Sequence, residues 1–342
     1  MPKNIIIFSD GTGQKGGKGN NTNVYKLFNI IEDRTQNQIA YYDPGVGTDW
    51  RKITGSLSGR GLSKNIIECY TFLFENYEAG DQIYLFGFSR GAATVRSLSA
   101  FIHYFGILPK SRPDLIKKAF NIYKRSSRNS VHNKANAFVK KHHTMWTKIK
   151  FIGVWDTVPA LGFPIKWISI LLDKFFLHKF HNFDLSESIE FARHALSIDD
   201  KRKTFHPQVW TPTKEQVKKE IVKQVWFSGV HTDIGGGYDK AELSNITLKW
   251  LIKEATSKGL IIYEKSEAYR AILESNIDPN GYMESEQKGS LGWIYRSKVR
   301  TWTNSEKICL HQTVLNRTKN DNNSDNPSYS PWVLNHDYNV EQ

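Results

Sequence analysis

Residues 82–93 read Gln82-Ile83-Tyr84-Leu85-Phe86-Gly87-Phe88-Ser89-Arg90-Gly91-Ala92-Ala93, and this stretch decides the fold. Its first half is a short apolar run of the kind that buried parallel strands carry. From Arg90 to Phe105 small and apolar residues follow with helical spacing. Between the two halves, Gly87-Phe88-Ser89-Arg90-Gly91 matches Gly-x-Ser-x-Gly, a pattern that has meaning only between a strand and a helix. Such a turn is tight enough that its neighbours must be small, hence glycine two before and two after the serine. The flanking pattern makes Ser89 a candidate nucleophile. The bland alternative is a packing turn whose serine caps a helix.

Working outward, apolar β-branched runs predict further strands at 4–9, 39–42, 149–154 and 221–227. Helical spacing predicts helices at 23–31, 62–77 and 246–255, and a basic helical stretch over 112–145. Strands alternating with helices give an α/β class: an α/β-hydrolase-like, mostly parallel sheet with helices on both faces and helical insertions. The whole chain, 1–342, reads as one domain. Insertions are expected at about 106–147 and 160–220, with a polar C-terminal segment at about 318–342.

In parallel sheets the working residues sit at the carboxyl ends of strands. Four expected strand ends carry polar chemistry: Asp10, Ser89, Asp156 and His231. A serine hydroxyl needs a base to take its proton, and that base needs an acid to orient it. In α/β-hydrolases the chain order is Ser, Asp or Glu, His, and Ser89, Asp156 and His231 follow it. The bland readings are a helix cap for Asp156 and a loop histidine for His231, one of 11 in the chain. Oxyanion-hole donors are expected from the N–H of Arg90 and from the loop Asp10-Gly11-Thr12-Gly13, through Gly11 or Thr12. Asp10 and Asp233 are expected to support the site.

A competing pattern overlaps that loop. Gly11-Thr12-Gly13-Gln14-Lys15-Gly16 matches a dinucleotide-binding fingerprint, with Asp33 about 20 residues on. Gly17-Lys18-Gly19-Asn20-Asn21 intervenes before any helix, and Asp33 follows a helix rather than a second strand. Both features weaken nucleotide binding.

Composition bounds the partners. The 342 residues carry 47 Lys and Arg against 34 Asp and Glu, a net charge of +13. That surplus favours an anionic partner. Two cysteines are too few for a disulfide framework or a Cys-rich zinc site, and the reading calls for no cofactor and no metal. The N-terminus lacks the long apolar stretch of a secretion signal, and no run reaches the ~20 apolar residues of a membrane span. The expectation is a chain made as a soluble cytoplasmic protein, delivered elsewhere or acting peripherally on a membrane. Residues 163–180, FPIKWISILLDKFFLHKF, place Ile168, Leu171, Leu172, Phe175 and Phe176 on one helical face. That segment suits a lid or a helix lying in the headgroup layer, or equally an ordinary core helix.

Together these blocks resemble the catalytic domain of type VI lipase effector family 1, also called domain of unknown function 2235, in the α/β-hydrolase superfamily. The resemblance spans residue 4 to about 317. Its parts are Phe8-Ser9-Asp10-Gly11-Thr12, Asp43-Pro44-Gly45-Val46-Gly47-Thr48, the Ser89 turn and Gly153-Val154-Trp155-Asp156-Thr157-Val158. Ala192-Arg193-His194-Ala195-Leu196 follows, with Asp199 and Arg202. The last are Trp226 through Tyr238, and His311 with Arg317. Near residue 43 the family pattern usually reads Asp-Gly-Val-Gly-Thr, whereas here Pro44 precedes the glycine. The resemblance implies phospholipase A activity on membrane glycerophospholipids, with Ser89, Asp156 and His231 as the triad. The partner is then a phospholipid or membrane surface, an anionic one fitting the charge, and nucleic acid is not expected. Two alternatives stay open: an esterase or thioesterase on a soluble acyl substrate, and a non-catalytic module binding anionic membrane or nucleotide.

Overall fold

The structure is a computed structural model and describes residues 2–11, 16–17, 19–45, 59–126, 128–158, 185–284, 298–302, 308–319 and 329–342. Among them, eight strands form one sheet: β1 (Asn4–Ser9), β2 (Gln38–Asp43), β3 (Gln82–Phe88), β4 (Ile149–Trp155), β5 (Ile189–Ser197), β6 (Val222–Phe227), β7 (Ile308–His311) and β8 (Tyr338–Glu341). Their spatial order is β2-β1-β3-β4-β5-β6-β7-β8, and every neighbouring pair is parallel. The expected α/β fold, a parallel sheet layered with helices, is the observed one.

Strand side chains alternate between two cores, as the two-residue period of a strand requires. Ile5, Ile7, Ile83, Leu85, Ile152 and Val154 face one layer, which is closed by α2 (Gly59–Asn76), α3 (Arg90–Phe105), α4 (Asp114–Arg125) and α5 (Arg128–His142). Ile6, Phe8, Tyr84, Phe86, Phe88, Phe151 and Trp155 face the other. There α1 (Asn23–Phe28) and α8 (Glu242–Thr256) cover them. All six residues of β1 are buried, which explains its unbroken apolar run: a central strand with both faces covered has no polar face to show. A smaller cluster, with Trp226, Trp302, Leu310 and Val314, packs around β7.

The sequence reading needs one correction here. The expected helical insertion at 160–220 contains a central strand, β5, whose neighbours are β4 and β6. Its sequence, Ile-Glu-Phe-Ala-Arg-His-Ala-Leu-Ser, carries Glu190, Arg193 and His194, which mask the apolar run of a buried strand. Arg193 is nonetheless buried, because Glu254 of α8 pairs with it. Between β5 and β6 lie a single 3-10 turn (Lys203–Phe205) and the short helix α6 (Lys214–Lys218). The expected polar C-terminal segment likewise ends in an edge strand, β8.

Candidate active site

The four sequence-picked residues do lie at the tips of strands. Asp10 follows β1, Ser89 follows β3, Asp156 follows β4, and His231 opens the short helix α7 (His231–Gly235) beyond β6. Phe88 and Trp155 are paired across β3 and β4, so Ser89 and Asp156 leave adjacent strands side by side. The Ser89 N–H donates to the Trp155 carbonyl at 3.1 Å, and the Asp156 N–H to that of Ala195 at 2.8 Å.

Ser89 sits at φ 57°, ψ −120°, a conformation costly for a side-chain-bearing residue and typical of functional turns. The close packing explains the glycines. A Cβ on Gly91 would stand 2.0 Å from the Ser9 carbonyl oxygen, and one on Gly87 2.6 Å from that of Gly91. Ser89 holds the N-cap position of α3 without a side-chain cap hydrogen bond, so its hydroxyl is not spent on capping.

Asp156 and His231 meet directly: Asp156 Oδ2 lies 2.7 Å from His231 Nδ1. Asp156 Oδ1 accepts from the Ser197 N–H at 3.0 Å. Arg300, which the sequence reading did not pick out, spans the carboxylate, with Nη1 3.3 Å from Oδ1 and Nη2 3.3 Å from Oδ2. Burial by itself would push the Asp156 carboxyl up. The Arg300 charge and the His231 hydrogen bond outweigh burial and hold it well below the usual carboxylate range.

The His231 ring is fixed from several sides. Phe88, next to Ser89, lies 4.6 Å from it between ring centroids, and Phe205 meets it edge-on at 4.9 Å. Asp200 Oδ2 accepts the His231 N–H at 3.2 Å. With Nδ1 bonded to the acid, Nε2 is the nitrogen left to work as a base. Among the described residues no hydrogen bond joins the Ser89 hydroxyl to this ring; Phe88 forms the link between them. His194, a second buried histidine close by, is engaged elsewhere. Its Nε2 lies 3.1 Å from the Thr157 N–H. Burial first, then the charge of Arg96, pushes it down to about 3.

The oxyanion expectation needs revision at Gly11. Its N–H donates to Asp10 Oδ1 at 2.7 Å, so it does not point into the cleft. Arg90 opens α3 directly after Ser89, whereas Thr12 and residues 163–180 lie outside the described residues. Asp10 binds its own loop and its neighbours: its Oδ2 accepts from Thr22 Oγ1 at 2.6 Å and from the Tyr42 hydroxyl at 2.7 Å. Burial pushes its carboxyl up to about 6. Asp233 accepts the Val230 N–H at 3.0 Å and so shapes the turn that presents His231. Burial pushes it up to about 7. Of the nucleotide fingerprint's glycines, the described Gly11 and Gly16 lie outside helix, α1 starts at Asn23, and Asp33 is exposed between α1 and β2.

Of the residues the reading missed, Asp200 and Phe205 adjoin the Asp199 and Arg202 pair that the resemblance singled out. Arg300 had no such signal, because it lies where strand and helix periodicity fades.

The family model for the T6SS phospholipase effector Tle1-like catalytic domain matches residues 3–254. The uncharacterized protein YEL023C of Saccharomyces cerevisiae is 33% identical over 235 residues, which cover 61% of this chain and 33% of that protein. The chain thus matches about a third of the length of its curated relative. Among solved structures, an uncharacterized protein from Pseudomonas aeruginosa overlaps 82% of this chain and 49% of its own, at 17% identity and a TM-score of 0.47. A thermophilic esterase from Thermogutta terrifontis, Est2 with butyrate bound, overlaps 76% and 85%, at 12% identity and a TM-score of 0.38.

Proposed function

The chain belongs to the family of T6SS phospholipase effector Tle1-like catalytic domains, and we propose that it hydrolyses carboxylic esters through Ser89, His231 and Asp156, as a phospholipase A on membrane glycerophospholipids. The observation that carries this is the 2.7 Å Asp156–His231 bond beside a serine in a strained turn.

The steps follow from the positions of the groups. Ser89 Oγ attacks the ester carbonyl carbon while its proton passes to His231 Nε2. The tetrahedral oxyanion forms in front of the Arg90 N–H, at the positive end of α3. His231 then returns the proton to the departing alcohol, a lysophospholipid, and leaves an acyl-Ser89 ester. A water molecule, deprotonated by the same nitrogen, attacks that ester and releases a fatty acid and Ser89. Asp156 stays anionic throughout, orienting the ring and balancing its transient charge. Contacts between a nucleophile and its base often tighten only in the complex with substrate.

The test is fatty-acid release from glycerophospholipid vesicles, compared with Ser89→Ala. We expect release to drop by about 10³-fold or more, and fluorophosphonate labelling of Ser89 to vanish in His231→Ala. Undiminished release by Ser89→Ala would overturn the mechanism. Cleavage of short soluble esters with none of lipid would keep the triad and replace the substrate class.

A further inference from the structure

We propose that Arg300 is a positioning residue of this reaction, clamping both oxygens of the acid and tying that acid to the segment that braces the base. The proposal rests on the Ser89–Asp156–His231 reading above.

The geometry is that of a strut with several ends. The Arg300 guanidinium is buried, 3% exposed. Beyond its two contacts with Asp156, Nη1 donates to the Ser197 carbonyl and Nη2 to the Phe205 carbonyl at 2.7 Å. Ser197 in turn donates its N–H to Asp156 Oδ1, so Arg300 and the end of β5 hold the same carboxylate oxygen together. At the other end, Phe205 presses its ring against His231, and Arg202 lies 3.6 Å over that ring. Arg202 pairs with Asp200, which also accepts the His231 N–H. One guanidinium therefore reaches from the acid to the chain that holds the base.

The same contacts carry an electrostatic role. A buried carboxylate bonded only to a neutral imidazole sits in a poorly solvating site. A guanidinium across both its oxygens supplies the missing counter-charge with fork geometry. The groups facing Asp156 are His231 from α7, His194 from β5 and Arg300. Those facing Arg300, besides Asp156, are Asp199, His206 and His194. Removing Arg300 takes away the largest of the influences that oppose burial at Asp156, so protonation there becomes easier and the acid limb of activity moves up in pH. A strut that only stabilised the fold would leave that limb in place.

The experiment compares the full chain with Arg300→Met, Arg300→Lys and Ser89→Ala on a soluble p-nitrophenyl ester, from about pH 5 to about pH 9, with thermal melts alongside. Arg300→Met is expected to lower kcat about 10- to 100-fold with KM little changed, the cost of a misplaced catalytic group, and to shift the acid limb upward. Arg300→Lys, which keeps the charge and loses the fork, should return the acid limb and recover only part of kcat. A folded Arg300→Met protein with an unshifted acid limb overturns the proposal, whatever its kcat. If Arg300→Met does not fold, full kcat in Arg300→Lys overturns it instead, and a partial kcat with an unshifted limb supports it. Activity surviving in Ser89→Ala would instead sink the triad itself, so the two failures are distinct.

Discussion

At the residue scale, three buried carboxylates titrate in opposite directions. Asp10 and Asp233 are pushed up by burial, to about 6 and about 7. Folding therefore favours their protonated forms. The stability they contribute is complete below the unfolded carboxylate value, about 4, and is lost as pH rises through 6 to 7. Asp156 is depressed, so its contribution is present above that value and lost only as pH falls below it. The thermal midpoint should accordingly decline from about pH 4 to about pH 7. Asp10→Asn should flatten the lower part of that decline and match the unaltered chain near pH 4. For a shift of this size the difference at neutral pH is on the order of 3 kcal/mol at most. A pH profile in Asp10→Asn identical to that of the parent would show that Asp10 keeps an ordinary carboxyl. Calorimetry across that range decides it.

At the scale of elements, legibility followed how little of a strand's character depends on distant partners. β1, β3 and α3 could be read directly, because apolar runs and a glycine-bounded turn are local signals. β5 could not, since Arg193 looks like a surface residue until Glu254, 61 positions later, is placed against it. The active site divides in the same way. Ser89, Asp156 and His231 sit directly behind readable strands, whereas Arg300 has no periodic context at all and is identified only by where it packs. The Arg193 pair yields a prediction of its own. Arg193 is 2% exposed, and Glu254 joins it to Lys223 of β6, which also pairs with Glu341 of β8. Glu254→Ala strands a buried guanidinium between β5 and α8, which should cost about 3–5 kcal/mol. A urea unfolding midpoint within error of the parent would mean that water reaches Arg193 and the pair contributes little. Replacing both partners by apolar residues should be far milder than removing Glu254 alone.

At the scale of the whole molecule, parallel strands send their carboxyl ends to one edge, and this directs charge as well as chemistry. The segment that bears Asp200 against His231 also carries exposed Lys201 and Lys203, and the Lys298 N–H donates to the Lys201 carbonyl. Lys201, Lys203 and Lys298 are thus exposed lysines on the two chain segments that meet beside Asp200, on a chain whose net charge is +13. Among the described residues no helix is long and apolar enough to cross a membrane, and the basic surface suits the proposed lipid substrate through peripheral attraction. Each basic group near an anionic leaflet contributes about 1 kcal/mol, and that attraction decays within a Debye length, about 10 Å at 0.1 M salt and about 3 Å at 1 M. Hydrolysis of vesicles rich in anionic lipid should therefore fall several-fold as salt rises over that interval, whereas cleavage of a short soluble ester in the same buffers should hardly change. Replacing Lys201, Lys203 and Lys298 together by Gln should remove most of the salt dependence and leave the soluble-ester rate in place. Equal salt sensitivity toward vesicle and soluble ester would locate the effect in the triad rather than at the lipid surface, and the cationic rim would then have no part in choosing the substrate.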